Sequence, residues 1–332
     1  MTAATQPTEP AKPARGPDLV FVRTWIARYW LPIWFGIISV MRLESLTTGG
    51  AGFDAQLYLK ATRAWLNGAD PWVFIDQQRF AAPPPTLIPL APIAILPEQV
   101  GITLMIGLAV AGAVATVRLL HLPWWWLLFP PFIDAAWNGN PQNLLVPLIL
   151  VGAGPLAAFL KIYAVVPIAL TLRWRAFLVT AALLLLTAPI LPWASYINQF
   201  GALSAALNEQ SDGGLSATAI PWLIPIALVA LLLTGRERAA WLAVPAVWPT
   251  TQWYYSTLAV PAVTLTPLAA GVLAIPIPGA AVVATIVVAV VRRNTSMNKL
   301  VADWRPGPTT LPLPPSSTPP PGPSPTGEPQ GA

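Results

Sequence analysis

The chain has 332 residues, of which 55% are hydrophobic and only 9% carry a charge. A soluble domain usually has about 25% charged residues, because charge keeps its surface in water. The composition therefore excludes an ordinary soluble protein and predicts a surface that faces lipid. The chain contains no cysteine, which excludes thiolate catalysis, disulfides and cysteine-based metal sites.

The formal net charge of +5 does not indicate nucleic acid. A nucleic-acid-binding protein would gather its basic residues on one face, whereas here they occur in small groups between apolar runs. The groups are Arg23 and Arg28, Arg173 and Arg175, Arg236 and Arg238, and Arg292 and Arg293. The positive-inside rule then places the N-terminus and the loops at 173–175 and 235–238 in the cytoplasm. The polar connections at 42–84 and 193–219 fall outside.

In chain order, residues 1–22 are polar and proline-rich and predict a disordered cytoplasmic segment. No cleavable signal peptide is expected, so the first apolar run is interpreted as a helix that the protein retains. Residues 23–293 form the predicted transmembrane domain. Residues 294–332 are a low-complexity, proline-rich tail that cannot build a core and is expected to be disordered. A solvated tail is the simpler interpretation, and binding of a protein partner is the alternative.

The apolar runs of the central domain are uneven in length. They lie near 25–41, 86–117, 122–133, 143–172, 176–192, 220–234, 239–249, 254–272 and 276–291. Some are shorter than the roughly 20 residues of a straight span, and others are long enough to be broken or doubled, which predicts about eight to eleven membrane helices. Prolines inside the runs predict several kinked or half-membrane helices. The predicted fold class is an all-α polytopic membrane protein.

The first outer loop contains the richest polar sequence. Residues 54–67 predict an amphipathic helix at the membrane interface, with Trp65 and Trp72 at headgroup depth. Its apolar face is formed by Leu57, Tyr58, Ala61, Ala64 and Trp65. Asp54 opens this helix, either as its N-cap or as a general base, and the two roles are compatible.

Three cations share this loop: Lys60, Arg63 and Arg79. One interpretation is contact with lipid headgroups or ion pairs with Asp70 and Asp76. The other is a cationic site for a phosphate, which arginine binds through a planar fork and lysine as a point charge.

The order of a first helix, then GFDAQLYLKATRAWLNGADPW, then an apolar hairpin that begins FAAPPPTLIPLAPIAILP resembles a known family. It is similar to the bacterial polyprenol-phosphate-dependent glycosyltransferases of family 87, membrane enzymes of the GT-C superfamily. In that family an aspartate after the first helix precedes a tyrosine four residues on, here Asp54 and Tyr58, and a Gly-x-x-Pro-aromatic turn, here 68–72. A Pro-Pro step then opens the next apolar run, here 83–85.

Weaker similarities follow in the same order along 138–262. NGNPQNLLVPLIL is similar to a step with glycine, glutamine and asparagine that opens a helix, although Asn140-Pro141 separates its glycine from its glutamine. KIYAVVPIAL is similar to a segment with lysine and proline, and WPTTQWYYSTLAVP to a step with proline, tryptophan and tyrosine. By this resemblance, substrate binding is expected at Gln142, Asn143, Lys161, Trp253 and Tyr255, in addition to Tyr58 and the three cations of the first loop.

The resemblance implies a GT-C-like bundle that inverts configuration as it moves a hexose, often mannose, from a polyprenyl phosphate to an acceptor hydroxyl. The site would face outside in a bacterial plasma membrane, with membrane lipids, the polyprenyl-phosphate donor and a lipid-linked or glycan acceptor as partners. Asp54 would be the general base, no cofactor is expected, and the need for a divalent metal stays open.

Several residues keep two interpretations. Gln142 and Asn143 bind sugar hydroxyls or form a turn, and Lys161 is functional or reaches an interface. Asp134 lies at the same junction and is a candidate second carboxylate. For the whole chain, a transporter or flippase and a non-catalytic membrane protein are the alternatives.

Overall fold

A computed structural model describes residues 19–47, 50–72, 80–210 and 214–292. Within these ranges the chain is all-helical and contains no strand, so the all-α prediction is confirmed. The α-helices are α1 (Leu19–Thr47), α2 (Phe53–Leu66), α3 (Leu87–Ala94), α4 (Glu98–Leu119), α5 (Pro130–Trp137), α6 (Leu145–Leu150), α7 (Gly154–Leu160), α8 (Val165–Leu170), α9 (Trp174–Leu186), α10 (Trp193–Gln210), α11 (Leu223–Thr234), α12 (Arg236–Val247), α13 (Val260–Val263), α14 (Pro267–Leu273) and α15 (Ala280–Val291). Short 3₁₀ helices cover Pro84–Thr86, Trp124–Leu128, Pro141–Leu144, Ile162–Ala164, Ala217–Ala219 and Trp253–Ala259.

Prolines lie near the points where the long apolar runs break. The run at 86–117 forms α3 and α4, and Pro97 is the residue before α4. The run at 143–172 forms α6, α7 and α8, in which Pro155 and Pro167 lie in the first turn of a helix. A missing N–H is tolerated in a first turn because that group has no partner within the helix. The prediction that these two runs are broken or doubled is confirmed.

The first helix is longer than predicted. α1 begins at Leu19, inside the segment assigned to a disordered N-terminus, and continues past the predicted end at 41 to Thr47. The tail at 294–332 lies outside the described residues, as do Asp76, Arg79 and Arg293.

One helix of the described ranges, α4, is long and apolar enough to cross a membrane, with a mean hydropathy of 2.2. Shorter apolar helices of 10 to 17 residues cover Pro141–Leu150, α9, α11 and α15. The expected eight to eleven membrane helices therefore stay a prediction.

The core that supports the candidate site lies between α2, α4, α5 and α12. α2 packs against α3 and α4, while α12 packs against α8, α11 and α15. α4 comes close to the 3₁₀ turn Pro141–Leu144 at Gly112, where an added Cβ would lie 2.6 Å from the carbonyl of Asn143. A larger residue would push this turn away, so the glycine permits the contact.

Candidate functional site

The start of α2 is attached to the turn that follows α5. The backbone N–H of Gly52 donates to the carbonyl of Trp137 at 2.8 Å, and that of Ala55 donates to Asn138 at 3.0 Å. Gly139 has a φ of +65°, and a Cβ there would lie 2.7 Å from the Cβ of Ala55. Glycine therefore lets the turn approach α2 closely.

Asp54 lies in the first turn of α2, where its negative charge faces the positive end of the helix dipole. The N-cap interpretation is wrong, because Gly52 is the N-cap, with a left-handed φ of +82°. The Asp54 side chain instead points to the α5 turn, where Asn140 Nδ2 donates to its Oδ2 at 2.7 Å. Asn140 in turn accepts from the backbone N–H of Gln142 at 3.0 Å, which fixes the asparagine.

Lys161 reaches the same site from the end of α7. Its backbone is extended there, between α7 and the 3₁₀ turn Ile162–Ala164, and the side chain is buried. The Thr86 hydroxyl donates to the carbonyl of Leu160 at 3.3 Å and so anchors the end of α7. The Lys161 ammonium donates to the Tyr58 hydroxyl and lies 5.0 Å from the centre of that ring.

A second row of polar and aromatic groups lies beside Lys161. Its ammonium is 5.8 Å from the ring centre of Tyr254. Tyr163 donates its hydroxyl to Oε1 of Gln142, and the Tyr163 and Tyr255 ring centres are 4.6 Å apart. Gln142 is fully buried, and its Nε2 has no hydrogen-bond partner among the described residues. A buried amide donor without a partner is costly, so this atom is a candidate contact for a ligand.

Asn143 has a structural role. Its Nδ2 donates to the carbonyls of Ala109 at 3.2 Å and Phe132 at 3.0 Å, which joins α4 to α5. The turn interpretation of this region is confirmed for Asn140, whose side chain caps the 3₁₀ turn Pro141–Leu144.

The protonation of Asp54 follows from its surroundings. Desolvation raises the pKa of the Asp54 carboxyl, while the hydrogen bond from Asn140 and the charge of Lys161 lower it. Burial raises the pKa of Tyr58 well above its usual range, so its hydroxyl stays protonated. The pair presents a carboxyl with a raised pKa beside a neutral phenol.

Arg42 forms an ion pair with Asp134 of α5, in which the aspartate is buried and the arginine is partly exposed. Asp134 Oδ1 accepts from Nη2 of Arg42 at 2.8 Å and from its Nε at 2.9 Å. The guanidinium lies 5.6 Å from the ring centre of Trp253. Burial, with a smaller effect of the Asp54 charge, raises the pKa of Asp134 to about 6 against the opposing effect of Arg42. Asp134, the candidate second carboxylate, therefore interacts electrostatically with Asp54.

The two described cations of the first loop, Lys60 and Arg63, do not converge on Asp54. Arg63 lies on the opposite side of α2, where its Nε donates to the carbonyl of Ala94 at 2.7 Å and its Nη2 to that of Leu96 at 3.0 Å. Lys60 is half-buried and a third of a turn around α2 from Asp54. Arg79 lies outside the described residues. Arg63 therefore binds carbonyls at the end of α3 and just beyond it.

Asp70 contacts α10 and the backbone of its own turn, and an ion pair with Arg79 stays a prediction because Arg79 lies outside the described residues. Its carboxylate accepts from the Ser195 hydroxyl, from Gln199 Nε2 at 2.9 Å and from the backbone N–H of Trp72 at 2.9 Å. Trp72 is 1% exposed and packs against Tyr196, with ring centres 5.3 Å apart, and its position at headgroup depth stays a prediction. Its ring is buried because α10 covers it.

Four site residues were not predicted: Asn140, Tyr163, Tyr254 and Arg42. Asn140 lies in the NGNPQN segment, and Tyr163 and Tyr254 lie within two residues of predicted ones. The motifs therefore indicated the right segments but not these residues. Arg42 is at the end of the first apolar run, and no motif singled it out. Its importance depends on Asp134, which is 92 residues away in the chain.

The described residues contain no group of three or more histidine, cysteine, aspartate or glutamate side chains that could bind a metal ion. No family model, no curated protein and no solved structure matches this chain.

Proposed function

We propose that the chain is a polytopic membrane protein with a GT-C-like bundle, in a bacterial plasma membrane with its N-terminus in the cytoplasm. The large apolar side chains exposed on the described helices and turns support a surface that faces lipid. They include Ile37, Leu185, Ile190, Ile197, Leu228 and Leu265, each between 48% and 80% exposed. A soluble monomer rarely exposes much large apolar surface, because such surface associates in water.

The proposed activity is transfer of a hexose, with mannose the first sugar to test, from a polyprenyl phosphate to an acceptor hydroxyl at the outer membrane face. One observation carries this proposal. Asp54, which the family resemblance gives as the base, is half-buried and fixed by Asn140 beside the Lys161–Tyr58 pair. A fixed carboxylate of raised pKa is suited to general base catalysis.

The reaction is a single displacement. The acceptor oxygen attacks the anomeric carbon while its proton passes to Asp54, and a new glycosidic bond forms. The bond between that carbon and the phosphate oxygen breaks, and its electron pair leaves with the polyprenyl phosphate. Attack from the side opposite the leaving group inverts the configuration of the sugar.

The remaining groups suit the sugar better than the phosphate. Gln142 Nε2, a buried donor that lacks a partner among the described residues, fits a sugar hydroxyl. Tyr255 and Tyr254 offer aromatic surface next to it. Lys161 orients Tyr58 and supplies positive charge that favours the ionised form of Asp54.

The test is Asp54→Asn, which keeps the shape of the side chain and an acceptor oxygen for Asn140 but cannot take a proton. Purified full-length protein in lipid nanodiscs would be assayed with a panel of polyprenyl-phosphate hexoses and acceptors. We expect kcat to fall about 10²- to 10⁴-fold. Glu98→Gln is the matched control, since this exposed carboxylate on α4 lies 4.0 Å from Arg63 and makes the same change outside the site.

Transfer at the wild-type rate by Asp54→Asn would refute the base. A wild-type protein that transfers no sugar from any donor of the panel would refute the transferase proposal. Movement of a labelled lipid phosphate across the bilayer would then favour the transporter alternative.

A further inference from the structure

Neither Arg63 nor Lys161 is placed to meet the phosphate of a donor at the Asp54 site. Arg63 is bonded to the carbonyls of Ala94 and Leu96. Lys161 is 7% exposed, donates to Tyr58 and lies against two tyrosine rings. A leaving phosphate needs positive charge that it can reach, because its own negative charge grows as the bond breaks.

Arg42 is the described cation that meets this need. Two nitrogens of its guanidinium, Nε and Nη2, share one carboxylate oxygen of Asp134. The flat face of the group lies over Trp253. Its orientation is therefore fixed on one edge and on one face, yet 36% of the side chain stays exposed, against 3% for Asp134. Arg42 is therefore the solvent-facing member of the pair, and the carboxylate that orients it is enclosed.

Two adjacent turns of α5 connect Arg42 to the base. Asp134 binds Arg42 in one turn. Three residues later, the carbonyl of Trp137 accepts from Gly52, two residues before Asp54. Residues three apart on a helix are neighbours on its surface, so α5 places the guanidinium and the carboxylate at the same end of the bundle. The effect of the Asp54 charge on the pKa of Asp134 agrees with this proximity.

We propose that Arg42, oriented by Asp134 and Trp253, binds the phosphate of a lipid-linked donor. The planar guanidinium makes charged, directional hydrogen bonds to phosphate oxygens, which a lysine cannot reproduce. Asp134 acts as a positioning residue. This inference rests on the proposed function for the identity of the ligand, but it can be measured without sugar transfer.

The experiment measures binding of farnesyl monophosphate and of the neutral alcohol farnesol to the full-length protein in nanodiscs. We expect the wild type to prefer the phosphate and Arg42→Gln to bind it at least about tenfold more weakly, the usual cost of losing a charge-assisted hydrogen bond. Farnesol should bind equally to both. The matched control is Arg118→Gln, because Arg118 also lies over a tryptophan, 5.3 Å from the ring of Trp124, near the end of α4. It should keep wild-type affinity.

Unchanged phosphate affinity in Arg42→Gln, or equal wild-type affinity for phosphate and alcohol, would overturn the inference. If Arg42→Gln does not fold, Arg42→Lys retains the charge without the planar fork. It should still lose several-fold in affinity, and wild-type binding by this variant would likewise overturn the inference.

The outcomes also separate this inference from the transferase. Sugar transfer with an unchanged donor KM in Arg42→Gln would refute the phosphate site and retain the transferase. Phosphate-selective binding that needs Arg42, in a protein that transfers no sugar, would refute the transferase and retain the site.

Discussion

Asn140 donates its side-chain amide to Asp54 across 2.7 Å, and this bond joins α2 to the turn after α5. The contact spans 86 residues of sequence. It has two consequences for Asp54. The carboxylate is held in one orientation, and the bond lowers the pKa of this carboxyl, although desolvation has the larger effect and raises it overall. Both consequences can be measured.

Replacing Asn140 with alanine should change the pH dependence of sugar transfer. The bond from Asn140 lowers the pKa of Asp54, so its loss raises that pKa further. A base acts only when ionised, and therefore the acidic limb of the kcat/KM profile should move to higher pH. The measurement is the profile of the variant against the wild type. An acidic limb that stays in place or moves to lower pH would contradict the assignment of that limb to Asp54.

Asn140→Ala should also destabilise the fold. It removes a hydrogen bond to a charged group and the cap of the Pro141–Leu144 turn, which together should cost about 1–3 kcal/mol. A thermal-unfolding measurement checks this. Asn140→Ser, which can still cap the turn but is too short to reach Asp54, separates the two contributions.

Arg63→Met should reduce stability and leave phosphate binding unchanged. The variant keeps an apolar stem but removes the donors to Ala94 and Leu96 at the end of α3, at a cost of about 1.5–3 kcal/mol. Lys60→Met is the matched control on the same helix, and its stability should stay within about 0.5 kcal/mol of the wild type. A stable Arg63→Met with weakened binding of farnesyl phosphate would restore the original interpretation of a phosphate site in the first loop.

Local periodicity was sufficient to predict the parts of the fold that depend on neighbouring residues. α2 was expected at 54–67 and is observed at Phe53–Leu66, and the long apolar runs break near prolines as expected. The predicted apolar face of α2 is only partly correct. Leu59 and Thr62 are buried, whereas Trp65 is half-buried, because α3 and α4 cover a different side of the helix from the one that the pattern suggested.

The site could be predicted only in part, because its contacts connect distant parts of the chain. Motifs indicated Asp54, Tyr58 and Lys161, which the structure brings together. Sequence could not show that Asp134 binds Arg42, since neither residue lies in a distinctive pattern. Nor could it show that Arg63, three residues from Lys60, would donate a hydrogen bond to the carbonyl of Ala94 at the end of α3.

Asp70→Ala should loosen α10. The carboxylate accepts hydrogen bonds from Ser195 and Gln199 in the first two turns of that helix, so its loss removes the polar attachment of α10 to the 67–72 turn. Amide hydrogen exchange across 193–200 should become about tenfold faster or more, as expected for losing charged hydrogen bonds. Glu209→Ala, which changes an exposed carboxylate on α10 itself, is the control. Equal exchange rates in Asp70→Ala and the wild type would show that packing of Tyr196 on Trp72 is sufficient.

Gly139→Ala tests whether the close approach of the α5 turn to α2 positions the base. Its φ of +65° is unfavourable for alanine by about 1–2 kcal/mol, and the new Cβ would lie only 2.7 Å from that of Ala55. The turn must therefore shift, which moves Asn140 relative to Asp54 and should lower both stability and kcat. Gly107→Ala is the matched control, because a Cβ at this exposed position in α4 meets nothing within 4 Å.

The control should be as stable as the wild type or more so, by about 0.5–1 kcal/mol, since alanine favours a helix interior over glycine. Thermal unfolding and single-turnover transfer would be compared for the two variants. If Gly139→Ala is destabilised yet transfers sugar at the wild-type rate, the turn stabilises the bundle without positioning Asp54. A loss of rate that exceeds the loss of folded protein, seen in Gly139→Ala and absent in Gly107→Ala, is the result expected if the Asn140–Asp54 contact prepares the base.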